Sequence, residues 1–162
     1  MTAISRNKKP PTPDEALIRL EDLCARSEQC VEEIRRRLYM WQICRNDAEK
    51  IVKSLVQRRF VDDTRYAAAF VRDKYRFARW GRLKIEMALR QKRIDSTIIA
   101  DAIAGIDDDE YRDALMHIIA AKAKTMDEPY TYENRMRLMR FALSRGFESS
   151  LVAIAIKNII NH

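Results

Sequence analysis

Ile85-Glu86-Met87-Ala88-Leu89-Arg90-Gln91-Lys92-Arg93-Ile94-Asp95-Ser96-Thr97-Ile98-Ile99-Ala100-Asp101-Ala102-Ile103 carries apolar residues at 85, 89, 94, 99 and 103. Those steps fit two short amphipathic helices joined by a tight turn just before Ile94. The register recurs 51 residues earlier as Ile34, Leu38, Ile43, Ala48 and Val52, and 53 residues later as Leu138, Ala142, Phe147, Val152 and Ile156. Leu55, Ile106 and Ile159 extend the match by one more position. A period of this size marks stacked supersecondary units, because a unit of ~45 residues buries a poor core alone.

Working outward, capping chemistry marks where helices begin. Thr12-Pro13-Asp14-Glu15 reads as a capping box with Pro at the first helical position. Asn46 with Glu49, and Asp107 with Glu110, repeat that logic. Asp62-Asp63 puts two carboxylates at the positive end of the helix that follows. Gly105 and Gly146 suit left-handed positions at helix ends, and Pro129 breaks the chain between two helical stretches. The pattern predicts nine helices, over 13–26, 28–40, 46–59, 63–78, 81–92, 95–104, 107–125, 131–145 and 148–161. No segment alternates with period two, so no sheet is expected. The expected fold is all-α, an elongated tandem array of three three-helix repeats over 14–60, 61–106 and 107–162. A disordered basic arm is expected over 1–13, with Arg6, Lys8 and Lys9.

Composition narrows the function classes. Only 3 Gly and 4 Pro among 162 residues are too few turn formers for a sandwich or a doubly wound α/β fold. The hydrophobic share of 47% is enough to fill a core and too high for a disordered chain. No apolar run approaches the ~18 residues of a membrane span, and the first residues lack a secretory apolar centre. Cys24, Cys30 and Cys44 are odd in number with no CxxC pair, which argues against a disulfide framework and against zinc. Reduced thiols in a cytoplasmic protein are expected.

The net charge is +7, and it is uneven. Residues 1–60 carry +4, residues 61–106 carry +4 and residues 107–162 carry −1. Residues 72–93 alone hold nine bases against Asp73 and Glu86. On a continuous helix Arg65, Arg72, Arg76 and Arg79 fall within about 60° of one another. Tyr66, Ala67, Phe70, Val71, Phe77 and Ala78 take the other side and are expected to face the core. Lys74, Arg82, Lys84, Arg90 and Lys92 continue the charge. A face of nearly one sign favours an anionic partner over simple solvation. Arg35-Arg36-Arg37 forms a second cluster. Arg58 and Arg59 end a helix, where cations complement the dipole, and Arg135, Arg137 and Arg140 form a weaker third cluster.

Catalytic patterns are missing. There is no phosphate-binding glycine loop, no HExxH and no nucleophile elbow. His117, among Leu115, Met116, Ile118 and Ile119, reads as a partly buried packing residue. Asp107-Asp108-Asp109-Glu110 reads as a helix-start charge cluster rather than a metal site. Trp41 and Trp80 read as packing plugs, with stacking of bases on Tyr39, Tyr75 or Trp80 as the other reading. No catalytic residue, metal or cofactor is expected.

Three stretches resemble a known family. They are Phe60-Val61-Asp62-Asp63-Thr64-Arg65-Tyr66-Ala67-Ala68-Ala69-Phe70-Val71, Arg79-Trp80-Gly81-Arg82-Leu83-Lys84-Ile85 and Leu89-Arg90-Gln91-Lys92-Arg93-Ile94. Together they resemble the signature of the RecX regulatory proteins: an aspartate pair, a Tyr-Ala-x-x-Phe helix, a Gly before the next helix and Leu-x-x-Lys-Gly-Ile. Glu33-Ile34-Arg35-Arg36-Arg37-Leu38 resembles that family's first-repeat motif. Arg93 departs from it where the family usually has Gly, and Trp41-Gln42-Ile43 departs where it often has Lys-Gly-x. A differently tightened turn is therefore expected at both places.

The resemblance implies a non-enzymatic modulator that binds along the groove of the RecA filament on single-stranded DNA and restrains RecA; a monomer that touches DNA phosphates weakly is expected. The stripe Arg65, Arg72, Lys74, Arg76, Arg79, Arg82, Lys84, Arg90 and Lys92, with Arg35, Arg36 and Arg37, would form its binding face. Two readings stay open beside it: a helical repeat that binds free DNA without RecA, and a helical scaffold for an acidic protein.

Overall fold

The computed structural model describes residues 9–161. Among the described residues the chain is all-helical, with nine helices and no strand. They are α1 Pro13–Arg26, α2 Val31–Met40, α3 Arg45–Gln57, α4 Asp63–Arg76, α5 Arg82–Gln91, α6 Ser96–Ala104, α7 Asp108–Ala123, α8 Tyr132–Ser144 and α9 Ser149–Ile160. Most of the expected arm lies outside the described residues. Of its end, Pro11 is buried and Thr12 and Pro13 open α1.

Packing groups the chain into two compact units, one ending at Tyr66 and one beginning at Ala67. The boundaries 14–60, 61–106 and 107–162 stay a proposal about the repeat. In the first unit α3 packs on α1 and α2. Ala16, Leu20, Ile34, Leu38, Ile51, Val52, Leu55 and Val61 form its core. Each fully buried Leu or Ile contributes ~1.5–3 kcal/mol relative to exposure. The aspartate pair then divides its work. Asp62 Oδ1 accepts from Arg65 N–H at 3.1 Å and so caps α4. Asp63 Oδ1 accepts from Val31 N–H at 2.9 Å, an orphan donor at the start of α2 that Cys30 leaves unsatisfied.

In the second unit α5 packs on α6, and α7, α8 and α9 pack on one another. Tyr111, fully buried, sits at the meeting point of these elements. Its hydroxyl accepts from Arg82 N–H at 3.0 Å and donates to Glu148 Oε2 at 2.7 Å. Burial, and then the Glu148 bond, push its phenol well above the usual range. Its ring lies 5.1 Å from Phe147 and 6.1 Å from Tyr75. Beside it Gly81 N–H donates to Arg145 O at 2.6 Å, and Leu83 N–H donates to Gly146 O at 3.0 Å.

The turns behind the repeat share one backbone. Gln42, Arg93 and Gly146 have φ of 59°, 54° and 91°. The next residue in each case donates to a carbonyl five positions back: Ile43 to Leu38 at 3.0 Å, Ile94 to Leu89 at 3.3 Å and Phe147 to Ala142 at 3.3 Å. The expectation of a different turn where glycine is missing is thus corrected. Gln42 and Arg93 adopt the left-handed conformation themselves.

Other expectations are corrected too. Gly105 is right-handed, φ −71°, so α6 ends without a left-handed residue. Helix α3 begins at Arg45 with Cys44 at its cap, and the Asn46 cap does not form. Ile43 is half-buried, whereas Ile94 and Phe147 are buried. His117 is exposed, and its Nδ1 lies 3.3 Å from Asp113 O. Helix α7 buries Tyr111, Leu115, Ile119 and Ala123 at four-residue steps, which turns His117 to the opposite face.

Candidate anionic-partner interface

The basic stripe divides once the helices are in place. Helix α4 ends at Arg76, two residues earlier than its periodicity predicts. Ala78 N–H reaches Asp73 O at 3.4 Å, Trp80 N–H reaches Lys74 O at 3.0 Å, and Arg79 between them is left-handed with φ 57°. Arg79 therefore leaves the helical face it was expected to share with Arg72 and Arg76. Phe77, expected in the core, is 81% exposed instead.

Trp80 organises what remains. It is half-buried, with its ring edge-on to Phe70 at 6.3 Å. Lys74 Nζ lies 4.8 Å from its centroid and Lys84 Nζ lies 4.6 Å from it. Each such contact at an exposed site contributes ~0.5–1 kcal/mol. The ring thus holds two ammonium groups in fixed places without neutralising either. Arg76 and Arg79 are exposed beside them. Lys74, Arg76, Arg79 and Lys84 have no carboxylate partner among the described residues. Arg72 is exposed, with only Asp73 Oδ1 at 3.8 Å.

Four other arginines of the expected face are committed inside the protein. Arg65 Nε donates to Glu28 Oε1 at 2.6 Å, and its Nη2 donates to Arg59 O at 3.1 Å and Phe60 O at 3.4 Å. The Glu28 hydrogen bond raises its pKa further. Arg82 is tied to Asp108 Oδ1 at 2.5 Å and to Ile106 O at 3.4 Å, with its guanidinium 4.1 Å from the Tyr111 ring. That hydrogen bond holds the Asp108 carboxyl below the usual carboxylate range. Arg90 pairs with Glu86 at 2.6 Å. Arg35 pairs with Glu49 through two hydrogen bonds of 3.0 and 3.2 Å, and Glu49 is held below its ordinary range by them. Lys92 is half-buried at the end of α5.

Arg36 and Arg37 are exposed on α2 of the first unit, next to Tyr39, which is 83% exposed. Trp41 is half-buried with Arg19 5.9 Å from its ring, and Tyr75 packs on Tyr111. The second unit therefore brings Lys74 and Lys84 together on Trp80, with Arg76, Phe77 and Arg79 exposed in the segment between. The signal that would have placed Phe77 outside is the helix stop at Arg79-Trp80-Gly81. Among the described residues there is no helix long and apolar enough to cross a membrane, and no cluster of three or more His, Cys, Asp or Glu that could hold a metal ion.

Residues 62–103 match the family model of the RecX second three-helix domain. The chain is 28% identical over 134 residues to the regulatory protein RecX of Clostridium botulinum strain Eklund 17B, covering 80% of this chain and 61% of that protein. It is 30% identical over 120 residues to the RecX of Clostridium botulinum strain Alaska E43, covering 71% of this chain and 56% of that one. This chain thus spans about three-fifths of the length of those relatives. A crystal structure of RecX from Lactobacillus salivarius shares the fold with a TM-score of 0.81 at 18% identity, covering 93% of this chain and 97% of that chain.

Proposed function

The chain belongs to the RecX family, and from that premise we propose that it binds the RecA–DNA filament and restrains RecA. In this reading it acts by binding, with no catalytic step of its own. One observation supports it most. Lys74, Arg76, Arg79 and Lys84, cations without carboxylate partners, lie inside the segment that matches the family domain. A filament groove offers acidic protein and phosphate together, and unpaired cations beside the exposed Phe77 complement both.

Co-sedimentation with RecA on single-stranded DNA, with DNA alone as the control, tests the reading. The protein is expected to sediment with the filament at salt that releases it from naked DNA. Binding to DNA alone should fall with a log–log slope of about −0.9 per phosphate contact on duplex. Arg72→Glu with Arg76→Glu should fold normally and lose filament binding by several kcal/mol, because attraction becomes repulsion. Equal sedimentation with DNA alone at every salt would favour the free DNA-binding reading instead.

A further inference from the structure

Three cations far apart in the sequence, Arg79, Lys122 and Arg145, converge on one groove of about 560 Å³ in the second unit. Helix α7 supplies Lys122 with Ile118 and Ala121; α8 supplies Phe141, with Arg145 just past its end. Residues 118, 121 and 122 share one helical face, and 141 and 145 are one turn apart. The Phe141 ring sets both neighbouring charges. Lys122 Nζ is 5.4 Å from its centroid and Arg145 Cζ is 5.3 Å from it. Arg145 Nη1 also donates to Ala78 O at 3.2 Å, which ties it to the loop carrying Arg79.

No carboxylate lines this groove; the remaining lining groups are His117 and Thr125. Nor does Arg79, Lys122 or Arg145 have a carboxylate partner among the described residues. Cations gathered around one groove without a carboxylate among them make it a favourable place for an anion. General basicity does not account for it, since residues 107–162 carry 8 bases against 9 acids. The floor of Ile118, Ala121 and the Phe141 ring is apolar, and the volume is in the range of small-molecule sites. A ligand with an anionic head and a flat, weakly polar body matches both halves.

We propose that this groove is a nucleoside-phosphate site, with the phosphate among Arg79, Lys122 and Arg145 and the base against Ile118 and Ala121. The nucleotide is either free or one unit of a single strand; the chemistry is the same. The proposal needs no RecA and does not rest on the filament reading.

The test uses the isotopically labelled full chain, titrated by NMR with thymidine 5′-monophosphate, with an oligothymidylate and with thymidine. Saturable shifts at residues 118–125 and 141–146 are expected with a phosphorylated probe and not with thymidine. Shifts with the monophosphate identify a free nucleotide, and shifts with the oligomer alone identify a strand. Arg79→Asn with Lys122→Gln should weaken binding about tenfold at a nearly unchanged melting temperature, since Asn tolerates the left-handed backbone and Gln keeps most of the half-buried Lys122 stem. Lys122→Gln alone, which touches no turn, should weaken it in the same direction. No shift in these segments with either phosphorylated probe would overturn the proposal, as would equal affinity in folded variants. Wild-type protein that binds nucleotide here and fails to sediment with RecA filaments would sink the filament reading alone.

Discussion

Gly146 and Gln42 hold the same turn in very different surroundings. Gly146 N–H donates to Leu143 O and Gln42 N–H donates to Tyr39 O, both at 2.9 Å. Gln42 is exposed, whereas Gly146 is buried against Gly81 and the backbone of Lys84. A Cβ at Gly146 would lie 2.6 Å from Lys84 N, and one at Gly81 would press into the Gly146 carbonyl. The difference separates two reasons for a glycine. The turn itself needs only apolar residues in the right register on either side of it, so Gln and Arg are accepted. Glycine is required where a second backbone arrives at the turn.

That distinction is broken most directly by a methyl group. Gly146→Ala adds left-handed strain to a clash with backbone, and each contributes ~1–3 kcal/mol, so a loss of about 3 kcal/mol or more is expected. Gly81→Ala, with no left-handed strain, should also lose stability through the clash alone. Urea denaturation of both variants checks this. A cost for Gly146→Ala no larger than that of Gln42→Ala would dissolve the comparison.

Tyr111→Phe comes next. It keeps the ring between Tyr75 and Phe147 and removes the hydroxyl that joins Arg82 N–H to Glu148. The amide and the carboxylate are left without that partner in a half-buried site, a loss of ~1–3 kcal/mol. If melting is unchanged, the hydroxyl is not what joins α5 to the start of α9.

These cases also mark what could be read from sequence. Positions Ile34, Ile85 and Leu138, and Leu38, Leu89 and Ala142, are all buried, because helical period alone determines them. Phe77 and Arg79 leave the faces that their spacing implies because the helix stops at Arg76. His117 is exposed although its sequence neighbours are apolar, because it lies off the buried line of α7. The candidate interface was half legible. Its charge was visible, but the carboxylates that commit Arg65 and Arg82 lie 37 and 26 residues away. Composition cannot tell a paired arginine from a free one, and no local pattern joins Lys122 and Arg145 to Arg79.

Arg65 and Arg76, on one helix, test that difference in commitment. Arg65 holds one oxygen of Glu28, whose other oxygen is buried without a partner. Because Arg65 is 43% exposed, solvent screening keeps the cost of Arg65→Ala to ~1 kcal/mol. Arg76→Ala should stay within about 0.5 kcal/mol, as for an ordinary surface site. Equal melting temperatures for the two variants would mean that the Glu28 pair contributes nothing measurable.

The smallest expected effect returns to the turn before Ile43. A non-glycine residue in the left-handed region costs ~1–2 kcal/mol. Gln42→Gly removes that cost at φ 59° and clashes with nothing, since the side chain it deletes is exposed. Against this, glycine gives the unfolded chain more freedom, which costs about 0.4–1 kcal/mol. The two terms leave a net gain of about 0.5 kcal/mol, a rise of a few degrees in melting temperature. A lower melting temperature would mean that the Gln42 side chain stabilises the turn in a way its exposure conceals, and the turn would then depend on its residue as well as on its register.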